Sequence, residues 1–233
     1  MFVDELPPVD GELWVVDRKV PDSVSEPQAK TPRSGGIICF TGTAMITTPN
    51  GLKSAADLRP NDTVITKHNG PQPIRWIGHR RISGARLHVM PQMRPIRIKA
   101  GSLGAETPLQ DLLVAPYQRV VVRDQVALDL FNTKEVLVAA KDLINGRSIY
   151  PEPRTQEVMY HHILLDRHEV LYTNGVMTES CHPSQLDMLE LEDKQRQELF
   201  KLFPNLEWNE DSYGDEALRS LSTSEAALLR HAN

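Results

Sequence analysis

Cys39-Phe40-Thr41-Gly42-Thr43 leads into Met45-Ile46-Thr47-Thr48-Pro49-Asn50-Gly51 and then into Leu58-Arg59-Pro60-Asn61-Asp62-Thr63-Val64. Short runs of apolar and β-branched residues alternate here with turn residues, so the cysteine stands where a strand begins. What precedes it is a different kind of sequence. Residues 1–36 hold Pro7, Pro8, Pro21, Pro27 and Pro32 and end in Ser34-Gly35-Gly36, the composition of a flexible leader. A nucleophile at the junction of leader and domain points to chemistry on the peptide bond before it.

The β pattern continues to about Ser180. Strands are expected at 45–48, 63–67, 74–82, 96–100, 112–115, 119–123, 135–139, 157–166 and 169–173, which makes residues 37–183 an all-β domain. Asn69-Gly70, Asn145-Gly146 and Asn174-Gly175 supply residues that accept positive φ in tight turns. Two segments look alike, Ala55-Ala56-Asp57-Leu58 running to Val64 and Ala139-Ala140-Lys141-Asp142-Leu143 running to Ile149. Each reads as a helical turn, a tight turn and a strand, the mark of one internal duplication. Beyond Pro183 the spacing of Leu186, Leu189, Leu199, Leu202 and Phe203 turns helical. Pro204 ends that segment, a last helix is expected over 215–229, and residues 184–233 read as an acidic helical extension.

Composition bounds the function. A chain of 233 residues, 40% hydrophobic and 24% charged, can bury one full core. Its 26 Lys and Arg against 31 Asp and Glu give no general reason to expect nucleic acid as a partner. Residues 75–99 are nevertheless basic (Arg75, Arg80, Arg81, Arg86, Arg94, Arg97, Lys99) without an acid, and residues 187–216 are acidic. That contrast reads as a solvated strand face meeting the acidic tail; a charged docking surface is the alternative, and salt would weaken it steeply. With no apolar run of membrane-span length and no basic start followed by an apolar core, neither membrane nor export is expected, and the chain reads as cytoplasmic. Two cysteines without CxxC spacing predict no disulfide framework, metal or cofactor.

A cysteine at the first strand can attack the carbonyl before it and turn that peptide into a thioester. The thiol must lose a proton and the departing amine must gain one, and imidazole suits both tasks. His161, His162 and His168 cluster late, with Asp166 between them and His182 beyond. In one extended strand His162, Asp166 and His168 would share a face, a candidate acid/base set. The plainer reading makes them strand-surface and turn residues, and a metal site would need Cys181 and His182 to fold back.

In order, the segments CFTGT, ITTPNGLKSAADLRPNDTVIT, GPQPIRWIGHR, DLLVAPYQRVVV, VLVAAKDLINGRSI and YHHILLDRHEVLYTNGVMTES resemble the Hint domains, the hedgehog and intein autoprocessing modules, in their bacterial form. The resemblance covers about residues 37–183. It implies a horseshoe-like all-β fold with internal pseudo-twofold symmetry. It also implies autocatalytic cleavage: Cys39 makes a thioester by an N-to-S acyl shift at the Ile38/Cys39 bond, with the chain's own N-terminal segment as substrate and water or another nucleophile as acceptor. His168 matches the histidine before the late strand, and His162 and Asp166 sit at positions that the bacterial form fills with the same residue types.

Three departures shape the expectation. Where the family reads Ser or Thr, Pro, any residue, His, Arg, this chain has Ala115-Pro116-Tyr117-Gln118-Arg119. The expected proton donor is thus Gln118, which can hydrogen-bond the scissile amide but cannot transfer a proton; general acid catalysis is worth about 10²- to 10⁴-fold in rate. The family's closing His-Asn is Glu179-Ser180, which argues against full protein splicing. The opening motif is one residue shorter than CFxxGT. The alternative to self-processing is a degenerate Hint fold retained as a binding or structural module, with Cys39 a small buried residue.

Overall fold

Strands of two to seven residues cannot bury a face alone, so the fourteen among the described residues pair into two antiparallel sheets. The computed structural model describes residues 38–104, 106–188 and 190–231. The expected leader, residues 1–36, lies outside the described residues, and the described residues fall within one compact unit.

In chain order the strands are β1 (Phe40–Thr41), β2 (Met45–Thr48), β3 (Gly51–Ser54), β4 (Thr63–Thr66), β5 (Gly70–Pro73), β6 (Trp76–Ile82), β7 (Ile96–Ile98), β8 (Leu112–Val114), β9 (Arg119–Arg123), β10 (Glu135–Ala139), β11 (Ile149–Pro151), β12 (Val158–Leu164), β13 (Val170–Thr173) and β14 (Val176–Glu179). The first sheet runs β11-β7-β8-β1-β12-β6 and the second β10-β9-β14-β13-β2-β3, with the β4–β5 hairpin joined to β13. The expected strands appear within a few residues of their bounds. β11 follows the second of the two similar segments, where a strand is expected, while β3, β5 and β14 are not among the expected strands, their runs being short or carrying Gly and Pro (Gly51, Gly70, Pro71, Pro73) and so showing no alternation.

Phe40, Ile46, Ile74, Ile98, Leu112, Ile163 and Leu171, all nearly inaccessible, form the principal core. The two similar segments occupy similar places, since Ala55 and Ala140 are both buried in that core at the turn before β4 and β11. Asn174 and Gly175 both take positive φ, 49° and 81°, and close the β13–β14 hairpin that the Asn-Gly pair predicts.

Two short helices, α1 (Gly84–Val89) and α2 (Gln125–Phe131), fill connections, and Ser83 and Asp124 accept backbone N–H groups at their starts. The extension holds α3 (Asp193–Leu202) and α4 (Thr223–His231). The last helix starts at Thr223, not near residue 215, because residues 219–221 pair with the edge of β10. Leu137 N–H donates to Arg219 and Leu221 N–H donates back to Leu137. Residues between Pro183 and α3 form only a single 3₁₀ turn at Pro183–Gln185. Leu186, Leu191, Leu199 and Leu206 pack on Trp76, Leu164 and Cys181, while Leu221, Ala226 and Leu229 pack on β10 and α2. The Gln195 side chain also covers the exposed edge of β6, accepting from His79 N–H at 2.6 Å and donating to His79 C=O at 3.1 Å.

The extension thus packs on both sheets. Leu199→Ala should cost about 2–5 kcal/mol and leave one cooperative urea transition. A separate early transition, with the sheets intact, would make the extension an independent appendage.

Candidate functional site

Register builds the site. β1 lies between β8 and β12, with Phe40 opposite both Val114 and His161. One residue earlier, Cys39 comes against His162, and its carbonyl accepts from Ala115 N–H at 3.0 Å. Cys39 Sγ is 3.1 Å from His162 Nδ1 and 3.2 Å from Nε2, so whichever ring nitrogen lacks a proton is within reach of the thiol. The Ile38 backbone beside the same imidazole favours its charged form. Cysteine, imidazole and the preceding peptide unit are therefore in one place.

On the other side of β12, β6 pairs so that Gly78 faces His162 and Arg80 faces Tyr160. Gly78 is required there: a Cβ would come within 2.2 Å of the Trp76 ring, which stacks on His162 with centroids 6.4 Å apart. Cys181, just past β14, brings a second thiol to 4.0 Å from His162 Nδ1. Both cysteines are buried and unbridged.

The pair rests in its neutral form. Burial holds His162 down at about 3, with the Arg80, His79 and His161 charges acting in the same direction. Burial also raises the Cys39 thiol well above its ordinary range, Cys181 adds to the rise, and Arg80 opposes it. On the opposite face of the same strands His79 and His161 meet, Nδ1 to Nδ1, at 3.1 Å, and burial lowers His161 to about 4.

The other expected residues lie elsewhere. β12 ends at Leu164, so no single strand carries His162, Asp166 and His168 on one face. The chain turns through residues 165–169, and Asp166 is exposed beside Arg75 at 3.2 Å. His168 is buried in a second cluster. Its Nδ1 accepts from Ala217 N–H at 2.9 Å, which leaves Nε2 to donate to Ser180 C=O at 3.1 Å, with Glu179 Oε2 at 3.3 Å. His182 packs edge-on against it and bonds Gly214 C=O at 3.0 Å. These two imidazoles fasten the extension. Gln118 is buried too, and its side chain donates to Glu179 C=O at 2.9 Å and to Arg119 C=O at 3.4 Å. Among the described residues its amide therefore ties β9 to β14.

Cys181 is named in the sequence without a place, Arg80 only as part of the basic stretch, and Trp76 is not among the expected site residues. A signal existed for Arg80: with a period of two, Trp76, Gly78, Arg80 and Ile82 share a face, and a lone cation on an otherwise apolar face asks for a partner. The rest of the basic run is largely paired within the chain, Arg81 with Glu157, Arg86 with Glu190 and Arg97 with Asp111 and Glu152. Among the described residues no group of three or more His, Cys, Asp or Glu is arranged to hold a metal ion. No helix there is long and apolar enough to cross a membrane.

A family model described as Hint domain matches residues 38–185. No curated protein matches the chain. Among solved structures, the bacterial intein-like domain from Clostridium thermocellum is similar at 13% identity and a TM-score of 0.45, covering 62% of this chain and 99% of that one. The gp41-1 intein is similar at 11% identity and a TM-score of 0.39, covering 60% and 96%. A splice-inactive, GSH-linked variant of the AceL NrdHF class 3 split intein is similar at 10% identity and 0.41, covering 61% and 97%.

The buried imidazoles predict acid sensitivity. In the unfolded chain both take a proton near the ordinary 6.5, whereas in the fold His161 stays neutral to about 4 and His162 to about 3. Below pH 6.5 the unfolded state binds more protons, so stability falls with falling pH through that window, by on the order of a few kcal/mol. Urea unfolding across the neutral-to-acid range should show this slope and a shallower one for His162→Gln. Equal slopes would contradict the burial of a neutral His162.

Proposed function

The chain belongs to the Hint-domain family, and from that membership we propose that it processes itself at the Ile38/Cys39 bond. The observation that carries this reading is the contact of Cys39 Sγ with His162, 3.1 and 3.2 Å from the two ring nitrogens, on an imidazole whose charged form the Ile38 backbone favours. The chemistry follows from those positions. His162 takes the Cys39 thiol proton, and the sulfur attacks the Ile38 carbonyl carbon to give a tetrahedral oxyanion. As that collapses, the Ile38 C–N bond breaks, the Cys39 nitrogen receives the proton held by His162, and a thioester joins Ile38 to the Cys39 sulfur. Water or another nucleophile then attacks the thioester carbonyl and frees the N-terminal segment, and sulfur returns to the thiol. Glu179-Ser180 at the end of β14 offers no asparagine for cyclisation, so the reading stops at cleavage or transfer. The finer architecture that goes with it is the horseshoe with pseudo-twofold symmetry, supported by the matched placement of Ala55 and Ala140.

Two features predict a slow reaction. The dyad is neutral at rest, so forming thiolate and imidazolium in a buried site is uphill, and Gln118 is engaged with Glu179. These same features favour a second reading, a Hint fold kept as a binding scaffold in which Cys39, 1% exposed, is a packing residue.

Intact mass of the full chain at neutral pH, with and without an added small thiol, separates the two. Self-processing predicts loss of residues 1–38, accelerated by thiol, absent in Cys39→Ala, and accelerated by about 10²-fold in Gln118→His. An unchanged mass in all three proteins over days supports the scaffold and overturns self-processing.

A further inference from the structure

Arg80 stands out among the charges of the first sheet. It projects from the apolar face of β6, opposite Tyr160 and two residues along from Gly78, which faces His162. Trp76 and Ile82 share that face, and Ile82 and Tyr160 both belong to the apolar cluster that holds Cys39. The Arg80 side chain is largely buried at 12% exposure, and one terminal nitrogen reaches Glu190 at 2.7 Å. Its Nε is buried with no hydrogen-bond partner among the described residues. A buried donor left unmet costs about 1–3 kcal/mol, so a fold that keeps it gains elsewhere or uses it. Arg80 and His162 line a small cleft together with Gln185, Leu186, Asp187, Glu190 and Leu191 of the extension.

We propose that Arg80 is the fixed positive charge that lets Cys39 carry negative charge inside this apolar site, and that Glu190 of the extension sets how much of that charge reaches the sulfur. The inference rests on Cys39 being the nucleophile. An unpaired arginine at this spot would favour thiolate and oxyanion strongly. Pairing it with Glu190 moderates that effect, and Arg86 Nη2, 3.1 Å from Glu190, shares the same carboxylate. Electrostatic groups held rigidly before the reaction act without reorganisation, which is why such a charge is effective in a dry site. Arg80 is in this sense a positioning charge; it need not touch the reacting carbonyl.

The charged and titratable groups facing Cys39 and Arg80 are His162 and Tyr160 on β12, Arg80 on β6, Cys181 after β14, and Asp187 and Glu190 on the extension. His79 and His161 lie on the far face of the strands. Cys181 provides an internal control: it packs beneath the same extension, but the charge acting on it is that of Glu179.

The test is the pH dependence of iodoacetamide labelling of the full chain, with peptide mapping to read Cys39 and Cys181 separately. Arg80→Gln should move the Cys39 profile to higher pH and slow its labelling about tenfold relative to Cys181 at mildly alkaline pH. Glu190→Gln should move it the other way, and Arg80→Lys should stay near the parent. Opposite displacements distinguish charge from loosening, which would speed both cysteines at every pH without moving the profile. Coincident Cys39 profiles in the parent, Arg80→Gln and Glu190→Gln proteins, or a change shared equally by Cys181, would overturn the proposal. If the profiles move as expected while the parent chain never cleaves, Arg80 keeps its place as the charge partner of Cys39 and the self-processing reading falls alone.

Discussion

The pairing of β1 with β12 is the constraint on which the rest depends. Only Phe40 and Thr41 make up β1, yet they lie between β8 and β12 and fix both neighbours. Phe40 points into the principal core. Because side chains alternate along a strand, Cys39 must then point to the other face, where His162 stands. A slip of one residue would bury the cysteine in the aliphatic core and send Phe40 toward the imidazole. The core that stabilises the sheet therefore also sets the geometry of the thiol.

That second face is closed rather than open. Leu87 of α1, Ala115 just past β8, Ile82 of β6, and Val158 and Tyr160 of β12 cluster with Cys39, while Trp76 and the leucines of the extension cover Cys181. His162 sits between the two clusters. Enclosure of this kind strengthens each electrostatic interaction and penalises each isolated charge. The consequence is a neutral thiol and a neutral imidazole held in contact, close in geometry to reaction and distant from it in energy. Arg80 is the counterweight, and the Glu190 carboxylate places its strength under the control of a segment outside the region matched to the family.

Much of the fold was legible because the sheets are antiparallel with strong local signals. Runs such as Arg119–Arg123 and Glu135–Ala139 read as strands from β-branched residues, and Asn174-Gly175 read as a hairpin turn from its need for positive φ. The helical extension was legible in type but not in bounds, since backbone pairing of Leu137 with residues 219–221 overrides local propensity. Of the candidate site, the sequence named Cys39 and His162, which the structure brings into contact. Cys39 announces itself by position, whereas the choice of His162 over His168 depends on where β12 stops, and a boundary two residues early removes Asp166 from the face it was expected to share. Gln118 could be read as a departure from the family pattern. Its bond to the Glu179 carbonyl could not, because that contact joins strands sixty residues apart.

The central claim is that the Ile38 carbonyl can pass to the Cys39 sulfur, and trapping with hydroxylamine tests it most directly. Hydroxylamine cleaves a thioester by taking the acyl group and leaving the thiol. The account predicts a fragment of residues 1–38 ending in an Ile38 hydroxamate, released from the parent chain and absent from Cys39→Ala. Full-length protein in both, with no hydroxamate after prolonged exposure under native conditions, would contradict it.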